Sequence, residues 1–276
     1  MATVIDPLHM GSERVIGAWS TGDLIVDPGP ASTVETLLAG LDGREPRALL
    51  LTHIHLDHAA ASGVLCRRFP QLRVYVHEVG APHMADPSRL LRSAARLYGA
   101  ERMLELWGEI LPVPAERITA LTGGETAEGM RVLHTPGHAG HHVTYFDPSE
   151  GAAYVGDVAG VRIPPGEVTV MPTPPPEIDV EAWQRSIDAV AALAPDVLRL
   201  THFGEATDAL AQLDLAAEML GRQAELARAG DRDAFMTTLA GWIADLPAQA
   251  AEEMRLAMRS EQAWLGLERY WRKRAV

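Results

Sequence analysis

Cysteine is nearly absent, with one residue in a chain of 276. A single thiol excludes an internal disulfide framework and any zinc site built on several thiolates, so a metal centre here must draw on histidines and carboxylates. Cys66 itself, inside the apolar stretch GVLCRRF, reads as a small buried hydrophobe. Long apolar runs are missing too. No uncharged stretch approaches the roughly 18 residues of a membrane span, and residues 1–10 lack a basic start followed by an apolar segment. The expectation is a soluble, cytoplasmic protein. Positive charge is short relative to negative, 24 Lys and Arg against 37 Asp and Glu, for a net charge of -13. Such a surface repels phosphates and acidic lipids, which argues against nucleic acid or a membrane as partner and leaves a small-molecule substrate. Internal repeats and low-complexity blocks are absent as well.

What is present is a length sufficient for a sizeable core and an alternation of short β-type runs with helical patterns. The β-type runs are RVIGAW, DLIVDPG, RALLLTH, LRVYVHE, RITAL, MRVLHTPG, HVTYFD, AAYVGD and VLRLTH, each bounded by turn residues. Helical spacing marks ASTVETLLAGL, DHAAASGVLCRRF and DVEAWQRSIDAVAAL, the last behind a candidate cap at Asp179. Mixed hairpins and βα units imply two sheets, or one mixed sheet, covered by helices. Residues 86–110 read as one or two inserted helices, with Leu90, Leu91, Leu97, Met103, Leu104 and Trp107 as apolar positions. The Pro-rich run from Ile163 to Asp179 reads as an ordered connector, because proline fits neither a helix interior nor a sheet centre. After Gly204 only helices are expected, about 206–229, 231–245 and 248–272, with no strand. Met254, Met258, Trp264, Leu267 and Trp271 form a packing stripe there, consistent with a homodimer.

The chemistry concentrates in LLLTHIHLDHAAASG, Leu49 to Gly63. The apolar run reads as a buried strand and the alanine-rich segment as a helix, so THIHLDH occupies a strand end, where α/β proteins tend to place chemistry. Alternation puts His53 and His55 on one side and Ile54 and Leu56 on the other. Two imidazoles can then share one ion. Asp57 has a plain alternative as a helix N-cap, and His58 as a first-turn residue. Together, however, four ligand-type residues in an apolar setting point to metal. Further ligand types follow other strands: His138 in VLHTPGHAGHH, Asp157 in AAYVGDVAG and His202 in VLRLTHFGE.

On these residues the chain resembles the metallo-beta-lactamase superfamily, from about Val4 to Gly204. The resemblance implies a four-layer αββα sandwich of the α/β class over residues 1–204, with a C-terminal all-helical extension over 205–276. It further implies that His53, His55 and His138 hold one metal, that Asp57, His58 and His202 hold a second, and that Asp157 bridges them. Asp27, in the VDPG turn, would orient a ligand histidine. Imidazole and carboxylate ligands favour two zinc ions, with iron or manganese compatible. His9, His77, His83, His134, His141 and His142 are assigned no ligand role, the last two being expected to orient their loop or begin the next strand.

In this family two ions can hold a hydroxide between them as nucleophile, and Asp57 would accept a proton beside it. Asp157 stands where true beta-lactamases carry cysteine or serine, and His55 where the flavodiiron type carries glutamate. The pattern is therefore most similar to glyoxalase II, lactonases and related hydrolases of ester, thioester or lactone bonds. Glutathione recognition would need basic residues in the tail, and Arg222, Arg228, Arg255 and RYWRKR read instead as solvated surface. A mononuclear iron persulfide dioxygenase on the same fold is the alternative, and a non-catalytic interaction protein a third reading.

Overall fold

The computed structural model describes residues 2–275. It divides into two compact units, one ending at Val132 and one beginning at Leu133. The first unit is built on a six-stranded sheet in sequential order: β1 (Thr3–Ile5), β2 (Ala18–Thr21), β3 (Leu24–Val26), β4 (Ala48–Leu50), β5 (Arg73–His77) and β6 (Ile118–Leu121). The first three strands are antiparallel, and β3 to β6 are parallel. Parallel neighbours need crossovers. These are the helices Val34–Gly40 and Ser62–Arg68 and, between β5 and β6, the inserted helices Ala81–Ala85, Ser88–Tyr98 and Ala100–Trp107.

Leu49, Leu51, Val74, Val76 and Leu65 are buried in one core with Cys66, so the thiol packs as a hydrophobe. The insert has its own small cluster, in which Leu106 and Trp107 pack with Leu56 and Ala60 of the motif segment. Leu104 departs from its expected apolar role, being 69% exposed on the same helix.

The hairpin of β7 (Thr126–Ala127) and β8 (Met130–His134) carries the chain from one unit to the next. The second sheet continues with β9 (Val143–Asp147) and β10 (Ala152–Gly156). After a two-stranded ribbon of β11 (Val161–Arg162) and β12 (Thr169–Val170), it is completed by β13 (Val197–Leu200) and β14 (Gly204–Ala206), in the order β14-β13-β10-β9-β8-β7. Its parallel pair β10 and β13 is bridged by the helix Val180–Ala191, capped by Asp179 through Ala182 N. The helices Ala209–Arg228, Arg232–Ala244, Ala248–Ala257 and Ser260–Arg274 share one core with that helix and with β10 and β13. Trp183, Ile187, Leu198, Leu213, Phe235 and Leu267 all belong to it. No helix among the described residues is long and apolar enough to cross a membrane.

Three expectations need correction. A strand does follow Gly204: β14 is a three-residue edge strand, Gly-Glu-Ala, with no apolar alternation to announce it. The last expected helix, 248–272, is two helices, because Met258 is extended and turns its buried side chain into the core. The Pro-rich run also contains a strand, since Thr169–Val170, between Pro165 and Pro172, pairs with Val161–Arg162.

Candidate metal centre

In the first unit the ligand-type residues follow the carboxyl end of β4, beside the carboxyl end of its parallel neighbour β3, which delivers Asp27. Asp27 is fully buried with φ 52°, a left-handed backbone that aspartate tolerates better than most residues. Its carboxylate accepts from Thr52 N at 2.8 Å, from Thr52 Oγ1 at 2.7 Å and from His58 Nδ1 at 2.8 Å. An ionised carboxylate only accepts, so His58 carries a proton on Nδ1 and its Nε2 is the nitrogen that could hold a metal. Thr52 Oγ1 gives its proton to Asp27 and therefore accepts from His53 Nδ1 at 3.1 Å, which fixes the same tautomer in His53. One carboxylate thus orients two histidines.

His53 and His55 offer ligand atoms within 4.8 Å of one another, as do Asp57 and His58. His53 and His58 are fully buried, whereas His55 and Asp57 are part-exposed. Asp57 does not cap a helix. The helix Leu56–Ala59 has His55 at its N-cap and Asp57 in its first turn, with Asp57 Oδ2 3.8 Å from His58 Nε2. In the next helix, Ser62–Arg68, Gly63 lets the Leu111 backbone pass close by: a Cβ there would lie 2.0 Å from the Leu111 carbonyl oxygen.

In the second unit His138 follows β8 and a turn, Asp157 follows β10, and His202 follows β13. His138 Nδ1 donates to the Pro172 carbonyl at 2.8 Å, again leaving Nε2 as a lone pair, and that lone pair faces Asp157 Oδ2 at 3.1 Å. The other carboxylate oxygen, Oδ1, lies 3.5 Å from His202 Nε2. All three residues are at most 2% exposed. Acceptor facing acceptor in a buried place is unfavourable without a positive charge between them, and a divalent cation suits this set of imidazole and carboxylate donors.

His142, expected to orient its loop or begin the next strand, accepts the Asp157 backbone N–H on Nε2 at 3.3 Å and therefore donates from Nδ1 to Thr135 Oγ1 at 2.9 Å. Sequence reasoning left other supports unnamed. Trp183 packs edge-on to the His138 ring and donates from its indole to the Val158 carbonyl. Thr52 stands next to His53, which was an available signal, whereas Thr135 lies seven residues from the His142 it bonds. Pro172 had none, since its contribution is a backbone oxygen. Of the remaining histidines, His134 donates to the Gly140 carbonyl and His9 stacks on Trp107. The tail arginines are surface groups: Arg222, Arg228 and Arg255 are about half exposed or more and pair with Glu218, Glu225 and Glu252.

Known proteins resemble this chain in sequence and in fold. The family model described as the metallo-beta-lactamase superfamily covers residues 20–202, from β2 to the last ligand-type histidine. The metallo-beta-lactamase fold-containing protein of Sulfurisphaera tokodaii is 26% identical over 164 residues, 56% of this chain and 60% of that protein. A hydroxyacylglutathione hydrolase of Aeromonas hydrophila is 30% identical over 138 residues, 49% of this chain and 41% of the enzyme. The matched stretches thus span 60% or less of these curated relatives. Among solved structures, an archaeal metallo-beta-lactamase superfamily protein from Sulfolobus tokodaii superposes with a TM-score of 0.71 at 20% identity, over 96% of this chain and 97% of that one. The protein TTHA1623, solved in a di-iron-bound form, gives 0.57 at 26% identity, over 79% and 98%. Two sheets, ligand-type residues at strand ends and a family match to about two thirds of the sequence agree, and the chain belongs to the metallo-beta-lactamase superfamily.

Proposed function

We propose that this protein is a dinuclear metal-dependent hydrolase of a small ester, thioester or lactone. The observation that carries the reading is Asp157, whose two oxygens face two different histidines, His138 and His202. A carboxylate so placed is shaped to serve two ions, whereas a mononuclear site would need only one oxygen. In this reading His53, His55 and His138 hold one ion, Asp57, His58 and His202 the other, and Asp157 serves both. Two divalent ions of this type supply an activated water and a Lewis acid for the carbonyl. Zinc is the proposed metal, and the di-iron form of TTHA1623 makes iron the first competitor to measure.

The chain's own residues divide the remaining work. Asp27, Thr52 and Pro172 keep the ligand histidines in one tautomer. The buried walls around His53, His58 and Asp157 exclude water from the ligand atoms and so strengthen every charge interaction there. His55 and Asp57 are the part-exposed members, so in this reading a substrate approaches over them and the Asp57 carboxylate would accept a proton. The hydroxyacylglutathione hydrolase relatives support a thioester as the first substrate to try.

The test is metal analysis with a substrate panel. Two zinc ions per chain and hydrolysis of a thioester, ester or lactone are expected, with Asp157→Ala losing both turnover and at least one ion while the tail helices stay folded. One iron per chain with oxygen uptake on a persulfide would replace this reading with the dioxygenase.

A further inference from the structure

The helix Ala209–Arg228 buries two glutamines, Gln212 and Gln223, which are 1% and 0% exposed. Eleven residues is three helical turns, so both side chains leave the same face, about 16 Å apart along the axis. A buried amide is costly unless its groups are bonded, and leucine would pack there more cheaply. Both amides are bonded to backbone, and both to the loops of the second half-site.

Gln223 accepts from Met171 N at 2.7 Å and donates to the Met171 carbonyl at 3.0 Å, binding that residue as a neighbouring strand would. Two residues on, Thr173 Oγ1 donates to the Ala263 carbonyl at 3.0 Å, and the helix Ser260–Arg274 comes so near that a Cβ on Gly266 would lie 2.0 Å from the Thr173 oxygen. Between these two clamped residues lies Pro172, whose carbonyl receives the His138 Nδ1 proton. Proline has no N–H and cannot anchor itself by a second backbone bond. Its orientation is set by what holds Met171 and Thr173. Gln212 does the same for the other ligand loop, donating to the Ala159 carbonyl at 2.8 Å, two residues beyond Asp157.

We propose that the C-terminal helices are a positioning element of the metal centre, with Gln223 acting through Met171 and Pro172 to hold the His138 imidazole. The tail is then part of the site's rigidity, quite apart from any substrate contact. This rests on the reading of His138 as a metal ligand, but its geometric core concerns the His138 proton alone.

The experiment compares Gln223→Met, which keeps the volume and loses both bonds, with Leu220→Ala, which opens a cavity on the same helix and removes no side-chain hydrogen bond. Three quantities are read: thermal midpoint, zinc affinity by competition with a chromophoric chelator, and the His138 Nδ1–H resonance in metal-free protein labelled with ¹⁵N-histidine. Gln223→Met is expected to weaken zinc binding by roughly tenfold to a hundredfold, the usual effect of removing a group that orients a ligand, and to broaden or shift the His138 resonance. Leu220→Ala is expected to lower the midpoint and leave the other two unchanged. Unaltered affinity and resonance in Gln223→Met, or equal loss of both in Leu220→Ala, would overturn the proposal. If Gln223→Met fails to fold, Thr173→Val replaces it, since it keeps the shape and removes the bond to the Ala263 carbonyl on the other side of Pro172. A wild-type protein that binds no metal would defeat the hydrolase reading, and the resonance comparison would still decide the positioning claim.

Discussion

Replacing Asp27 by asparagine isolates one charge at the point where the first half-site is organised. Asparagine has nearly the same shape and is at home at φ 52°, so the backbone raises no objection. The chemistry changes sharply. Asp27 accepts three hydrogen bonds on two oxygens, from Thr52 N, Thr52 Oγ1 and His58 Nδ1. If the amide oxygen keeps Thr52 N, its NH₂ group faces His58 Nδ1–H and Thr52 O–H. Thr52 can rotate its proton, but His58 must move its own to Nε2 or leave a donor against a donor. Moving it consumes the lone pair needed for a metal, and turning the Thr52 hydroxyl toward His53 does the same there. Loss of a ligand-orienting group typically costs ten- to hundredfold in metal affinity, about 1.4–2.8 kcal/mol. Two histidines are affected here, so Asp27→Asn should reach the upper end of that range. Zinc content after dialysis against graded chelator, with circular dichroism to verify folding, measures it. A folded Asp27→Asn protein retaining wild-type zinc affinity within twofold would refute the reasoning, because the carboxylate would then be a turn residue only.

Gly137→Ala should destabilise strongly, because Gly137 has φ 137° and an added Cβ would lie 2.3 Å from Trp183 Cα, backbone that cannot step aside; a loss of about 3 kcal/mol or more in chemical denaturation is expected from strain and overpacking together. Trp183→Phe keeps most of the packing against the His138 ring but strands the Val158 carbonyl, which should cost about 1–3 kcal/mol by the same measurement. Burial pushes the Cys66 thiol up to about 11, with Arg117 pulling weakly the other way. The thiol therefore supports the folded state fully below the ordinary value near 9 and loses that contribution as pH climbs through about 11. At pH 8 iodoacetamide should label Cys66 only when urea unfolds the chain, and rapid labelling of native protein would contradict its placement.

The sequence was most informative where burial on both faces forces an uninterrupted apolar run, as at Ala48–Leu50 and Ala152–Gly156. The turn signals beside those runs marked where polar side chains could stand, and that located the ligand-type residues. Strands of two or three residues carried too little pattern: Val161–Arg162 and Thr169–Val170 exist because they pair with each other, and Gly204–Ala206 because β13 offers an edge. The Met258 break had no glycine or proline to announce it, being imposed by the core that receives the side chain. At the site, side-chain ligand types were visible as residues. What orients them was visible only in part, because Asp27 is a side chain in a recognisable turn whereas Pro172 acts through a carbonyl that every residue possesses.

The two half-sites answer one physical problem with different materials. A histidine ligates through Nε2 only if something accepts its Nδ1 proton, and in a buried setting that acceptor must itself be held still. In the first unit the acceptor is a carboxylate fixed by the adjacent parallel strand, so sheet geometry provides the rigidity. In the second it is the carbonyl of a proline in a connector, which has no sheet partner of its own and is steadied instead by Gln223 and the close approach of Gly266. A helical tail packed into the same core as β10 and β13 is thereby tied to the tautomer of a histidine far from it in sequence. Exchange of the tail for one of different sequence would have to preserve those backbone contacts before it could alter specificity. His55 and Asp57, part-exposed and in the other unit, make none of these bonds to the tail.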